Sequence, residues 1–202
     1  GKLSITPFVE ILSQFNDVGS GTARFNIDAK GSINVPNLEG NIFLSDAKYE
    51  SFYTGIKLKK IYANLQCKGN SIQLKQFKAQ DFHKGKGTAT GFITLDKSEK
   101  FPFQIDANLS NLNVIDLDEM YTTFNGPLYF SGDSNNFKLF GDLETTKTRL
   151  LISNETRKPL PKINVSYTTT PLKKKNTTFI SKKNLDLNLK ISSNKTTTLE
   201  GK

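Results

Sequence analysis

The sequence predicts an all-β protein built on a largely antiparallel, many-stranded sheet with one apolar face. Three observations support this. Apolar and polar residues alternate at nearly every step through most of the 202 residues, as in Leu38-Glu39-Gly40-Asn41-Ile42-Phe43-Leu44, and alternation places each class on one face of a strand. Successive runs are closely spaced and punctuated by turn signals such as Lys68-Gly69-Asn70; this favours antiparallel neighbours, because parallel ones need a long crossover. Helical periodicity never runs long enough to cover a sheet. About ten strands with one apolar face and no covering helix can fold as a sandwich, close as a barrel or curl as a trough.

Each element follows from its residues. Within a leading segment, 1–18, Ile5, Phe8, Val9, Ile11, Leu12 and Phe15 are spaced for a short helix or an irregular strand. Gly19-Ser20-Gly21 interrupts, and Ala23, Phe25, Ile27 and Ala29 then alternate with charged and amide residues. Pro36 marks a turn, because proline cannot donate to a central ladder. The next strand carries Leu38, Gly40, Ile42 and Leu44 and runs to Tyr49. Ile61, Ala63, Leu65 and Cys67 share one face of the strand that follows. The return strand has Ile72, Leu74 and Phe77, and its phase slip between 74 and 77 predicts a bulge.

Gly85, Gly87, Ala89, Gly91, Ile93 and Leu95 alternate next. Three glycines at alternate positions predict close backbone approach or sharp curvature. Phe101, Phe103, Ile105, Ala107 and Leu109 form the following strand, and alternation fails only over 111–125, read as a connection with a helical turn at 116–121. Leu128, Phe130, Leu139 and Leu143 belong to a near-repeat of the earlier hairpin: positions 31, 38, 40 and 42 recur at 132, 139, 141 and 143, and Ile27 falls on Leu128. The organisation read from this is a first β unit over 19–110, the connection, and a second unit over 126–202, incomplete at its C-terminus. Ile163, Val165 and Tyr167, then Leu185, Leu187, Leu189 and Ile191, close the series.

Composition narrows the function classes. The hydrophobic share is 36%, low for a packed globular core and suited to strands with one wet face. Net charge is +9, with basic clusters at Lys57, Lys59, Lys60 and at Lys173-Lys174-Lys175; the simplest reading is a solvated strand face. Aromatic residues fall in phase with aliphatic ones rather than interleaving with basic ones, so nucleic acid is not an expected partner. One cysteine, Cys67, excludes an internal disulfide and reads as a buried thiol. One histidine, His83, excludes a multi-histidine metal site and reads as an exposed turn residue. Asp116, Asp118 and Glu119 match no calcium loop, and Gly85-x-Gly87-x-x-x-Gly91 precedes no helix that would make it a phosphate cradle. Asn-x-Ser/Thr sites at Asn154, Asn164, Asn176 and Asn194 are expected by chance in so Asn- and Thr-rich a chain. No enzymatic activity, cofactor or metal is expected. No run is long and apolar enough for a membrane-spanning helix, and a start without Met inside strand-like sequence reads as a piece of a longer protein.

The succession Gly-x-Ala-x-Phe-x-Ile-x-Ala-x-Gly-x-x-x-x-Pro-x-Leu-x-Gly-x-Ile-x-Leu-x-Asp-Ala (Gly21–Ala47) is followed by Ile56-x-Leu58, Ile61-x-Ala63-x-Leu65, Ile72-x-Leu74 and Gly85-x-Gly87-x-Ala89-x-Gly91-x-Ile93-x-Leu95. Together they resemble TamB and its AsmA-like relatives. Gly126-x-Leu128-x-Phe130-x-Gly132, Leu139-x-Gly141-x-Leu143 and Leu185-x-Leu187-x-Leu189 extend the likeness from about residue 20 to 200. Asn135 and Asn136 depart from it where the first copy has its proline turn.

The resemblance implies a sheet curled like a taco around a hydrophobic interior, in a periplasmic part of an inner-membrane-anchored protein. It also implies phospholipid acyl chains as cargo between inner and outer membranes, and an Omp85-type outer-membrane protein as partner. On this reading the groove is lined by Phe25, Ile27, Ala29, Leu38, Ile42, Leu44, Ile61, Ala63, Leu65, Ile72, Leu74, Phe77, Ala89, Ile93, Leu95, Phe103, Ile105, Leu109, Leu128, Phe130, Leu139 and Leu143. Two other readings stand beside it: a scaffold whose sheet edges pair with strands of outer-membrane β-barrel clients, and a closed β-sandwich surface module.

Overall fold

The computed structural model describes residues 2–4, 17–32, 34–152, 184–193 and 197–201. All eleven of its strands lie in one sheet: β1 (Lys2–Ser4), β2 (Asp17–Gly31), β3 (Pro36–Ser51), β4 (Lys57–Gly69), β5 (Ser71–Asp81), β6 (Lys86–Thr94), β7 (Phe103–Asp116), β8 (Met120–Gly132), β9 (Asn136–Ile152), β10 (Asn184–Ser193) and β11 (Thr197–Gly201). From β1 to β9 they form an antiparallel meander in chain order, and β10 and β11 both join β9 in parallel. No helix and no second sheet occurs among the described residues. The closed sandwich is thereby replaced by a single sheet that does not close.

Most of the sequence grammar reappears as register. Gly31 and Pro36 close the β2–β3 hairpin. The slip between Leu74 and Phe77 is a bulge on β5. The repeated hairpin is a repeat in pairing too, since Ile27 faces Gly40 as Leu128 faces Gly141, and Ala29 faces Leu38 as Phe130 faces Leu139. At Gly40 a Cβ would overlap the Asn26 carbonyl, so the strands meet there more closely than any other residue allows.

One stretch differs from the sequence reading. Residues 111–125 are not a connection: β7 continues to Asp116, β8 begins at Met120, and a tight turn joins them through mutual Leu117 and Met120 backbone hydrogen bonds. Alternation failed there because the β7–β8 pairing shifts register twice, between Leu109 and Leu112 and between Asn113 and Ile115, and each shift moves the apolar phase by one residue. The expected features at 5–16 and 153–183, including Ile163, Val165, Tyr167 and the lysines at 173–175, lie outside the described residues, as does Asn194.

The sheet bends sharply at β6. Cα atoms of β5 and β7 come within 8 Å of one another, closer than the ~9.6 Å between alternate strands of a flat sheet. Asp81, 2% exposed, spans the bend. Its Oδ1 accepts from the Gly85 amide at 2.7 Å and the His83 amide at 2.8 Å, and its Oδ2 accepts from the Asn113 amide of β7 at 2.7 Å. A Cβ at Gly85 would overlap both the Asn111 carbonyl and this carboxylate. Longer ties reinforce the curl: the Asp116 amide donates to Thr54 in the β3–β4 turn at 2.8 Å, and the Lys97 amide donates to Asn34 in the β2–β3 turn at 3.4 Å.

Asp81→Ala leaves three backbone amides without an acceptor, so it should lower stability by about 3 kcal/mol or more. Asp81→Asn, which keeps one carbonyl acceptor, should cost less. Urea unfolding midpoints decide, and an unchanged midpoint for the alanine variant would remove Asp81 from the bend.

Candidate functional site

Strand register turns the alternating residues into three unbroken rows across nine strands, β2 to β10. The middle row is Phe25, Ile42, Leu65, Leu74, Gly91, Ile105, Phe130, Leu139 and Leu187, each paired with the next. One side of it runs Ala23, Leu44, Ala63, Phe77, Ala89, Ala107, Leu128, Gly141 and Leu189; the other runs Ile27, Gly40, Cys67, Ile72, Ile93, Phe103, Gly132, Phe137 and Leu185. No position in these rows is polar beyond the Cys67 thiol. On the opposite face a comparable row reads Asn26, Asn41, Gln66, Gln73, Phe92, Gln104, Ser131, Lys138 and Asp186. Measured along the sheet the apolar band is ~38 Å long.

The band is wetter on one side than the other. Toward the end where Asp81 lies, Ala47, Ile61 and Ala79 are at most 6% exposed, with Leu44, Tyr49, Leu58 and Phe77 packed against them, and Leu143 on β9 is 5% exposed. Along the three rows most side chains are only half-buried, and Phe25 and Ile105 are exposed. Phe103, Phe130 and Phe137 gather there, with ring centroids 5.0 to 6.2 Å apart. A half-wet apolar band this long exceeds the scattered exposed hydrophobics normal on a soluble surface.

Sixteen of the twenty-two residues expected to line the groove stand in the three rows, and Ala29, Leu38, Ile61, Leu109 and Leu143 lie on the strands outside them. Leu95 lies just past the end of β6, with its amide donating to Asn70. Ala23, Ala79 and Ala107, in phase on their strands, and Phe137 were left out of the expected lining although they share this face. Leu112 was not legible by phase: a register shift at Asn111, whose φ is 48°, brings its side chain against Gly87. Cys67 is 2% exposed on the band, and burial pushes its thiol pKa up. His83 stands exposed in the β5–β6 turn, edge-on to Tyr121 with centroids 5.7 Å apart.

A concavity of about 970 Å³ is lined by Asn26, Asp28, Glu39, Asn41, Gln66 and Lys68 among others, and its charges of both signs suit water rather than an apolar ligand. Among the described residues no group of three or more His, Cys, Asp or Glu side chains converges as metal ligands, and no helix is long and apolar enough to cross a membrane.

An open, curled sheet with one continuous apolar face is a trough rather than a closed sandwich. Residues 75–202 match the family described as TamB C-terminal domain, which covers more than half of the chain. The chain belongs to the TamB family, one of transport and assembly modules associated with the cell envelope. No curated protein and no solved structure shows a significant match.

Cys67 offers a probe of the face. Buried and held as the thiol, it should react with a soluble disulfide reagent at pH 8 at least tenfold more slowly than in urea; equal rates would place it in open solvent.

Proposed function

We propose that the apolar band carries phospholipid acyl chains between the inner and outer membranes, as the groove of a periplasmic segment of an inner-membrane-anchored protein. The observation behind this is that three rows cross nine strands with no polar side chain beyond the Cys67 thiol. Exposing an acyl chain to water costs ~0.8 kcal/mol per CH₂, so a path without interruption keeps that cost low at every step. Aliphatic and aromatic walls are non-directional, and a lipid can slide along them without breaking a specific bond. An Omp85-type outer-membrane protein is the partner proposed for its far end.

A second reading draws on β10. Leu185, Leu187 and Ile191 are 55–61% exposed on the outermost strand, and such an edge is a template for pairing with another chain. Under this reading the protein assists outer-membrane β-barrel assembly, and client crosslinks concentrate at β10.

Photoreactive residues at Ile42 and Leu128 should crosslink phospholipid several-fold more than ones at the outward Asn41 and Tyr129. Ile42→Asp or Leu128→Arg, by placing a charge in the path, should reduce lipid transfer at least tenfold. Equal crosslinking on both faces would refute the groove, and crosslinks to protein confined to β10 would favour the scaffold.

A further inference from the structure

The hairpin turns at the Asp81 end place their aromatic residues where no packing accounts for them. Phe52 and Tyr53 in the β3–β4 turn are 63% and 67% exposed, and Phe82 in the β5–β6 turn is 59% exposed. They differ from the half-wet residues of the apolar band in standing at turn tips, where asparagine, glycine or serine would serve the backbone as well. The two tips are neighbours at one end of the sheet, and the Lys59 ammonium lies 4.4 Å from the Phe82 ring centroid.

Charge around them is mostly positive. Lys60, Lys84 and Lys86 are exposed beside the aromatic tips and Lys59 is half-exposed. Of the acidic residues nearby, Glu50 pairs with Lys57 at 2.9 Å, Asp17 accepts from the Tyr49 hydroxyl at 2.8 Å and Asp81 is buried with three amide donors, while Asp116 stands exposed beside the β3–β4 turn. Two further exposed carboxylates at this end, Asp118 and Glu119, sit in the β7–β8 turn. Exposed aromatic rings flanked by lysines match a bilayer interface, where ring bodies enter the headgroup region and ammonium groups meet anionic phosphates.

We propose that the β3–β4 and β5–β6 turns form a docking surface for an anionic phospholipid bilayer, with Phe52, Tyr53 and Phe82 entering the interface and Lys59, Lys60 and Lys84 binding its phosphates. The acidic β7–β8 turn tilts the molecule, because it is repelled by the same surface. This surface is separate from the groove, and its test reads vesicle binding rather than lipid transfer, so either can fail alone.

The chain has no tryptophan, so Phe52→Trp installs a single indole reporter at the tip. On adding vesicles of phosphatidylethanolamine and phosphatidylglycerol, its emission should shift to the blue and be quenched by brominated lipid, and phosphatidylcholine vesicles should give a much weaker response. In co-sedimentation, Lys60→Glu/Lys84→Glu should weaken binding about tenfold or more, and Phe52→Ser/Tyr53→Ser/Phe82→Ser should weaken it comparably. The charge-matched Lys78→Glu/Lys138→Glu, on mid-strand exposed positions, should bind like the parent. An indole that stays in water beside anionic vesicles, or equal loss in the control pair, overturns the proposal; the latter result would assign binding to diffuse net charge.

Discussion

Bending is what allows a single sheet with one apolar face to persist in water without a second layer. Helices or a facing sheet normally cover such a face, and among the described residues neither is present. Among the described residues the face is therefore sheltered only by its own curvature. That curvature depends on backbone approaches that tolerate no Cβ, at Gly40, Gly85 and Gly91, and on Asp81, which joins β5 to β7 past the short β6. A carboxylate suits this position because it accepts several amide hydrogens at once, and charge-assisted bonds are stronger than neutral ones.

Curvature distributes dryness unevenly, and this has functional weight. Toward the Asp81 end, small residues such as Ala47 and Ala79 pack with Ile61 into a dry cluster. Threonine hydroxyls near this end pair off, Thr122 with Thr148 and Thr123 with Thr146, each at 2.9 Å. Away from it the apolar rows open to half-exposure. The structural cost of folding is thus met at one end, and the remainder of the apolar face stays half-exposed, where the proposed function places the acyl chains.

Much of this was legible in sequence because period-two alternation is a direct consequence of strand geometry. Runs such as Ala23 to Ala29 and Leu38 to Leu44 assign their face without reference to neighbours, and the spacing of Gly31 and Pro36 fixes a hairpin. Alternation cannot tell whether an apolar face meets another sheet or remains open, since both demand the same residues; only the full pairing order resolved that for this chain. Register shifts were readable where one was isolated, at Leu74 to Phe77, and unreadable where two fell close together, at Leu109 to Ile115. The Asp81 bridge was also beyond reach, because it joins residues 32 positions apart through a side chain and a backbone amide.

The openness of the apolar face is tested most directly by cysteine accessibility in a Cys67→Ala background without lipid. Single cysteines at Ile42, Leu74, Phe130 and Leu139 should react with a small hydrophilic thiol reagent well ahead of cysteines at Ala47, Ala79 and Leu143. Uniform protection at all seven positions, as in a covered core, would contradict an open groove.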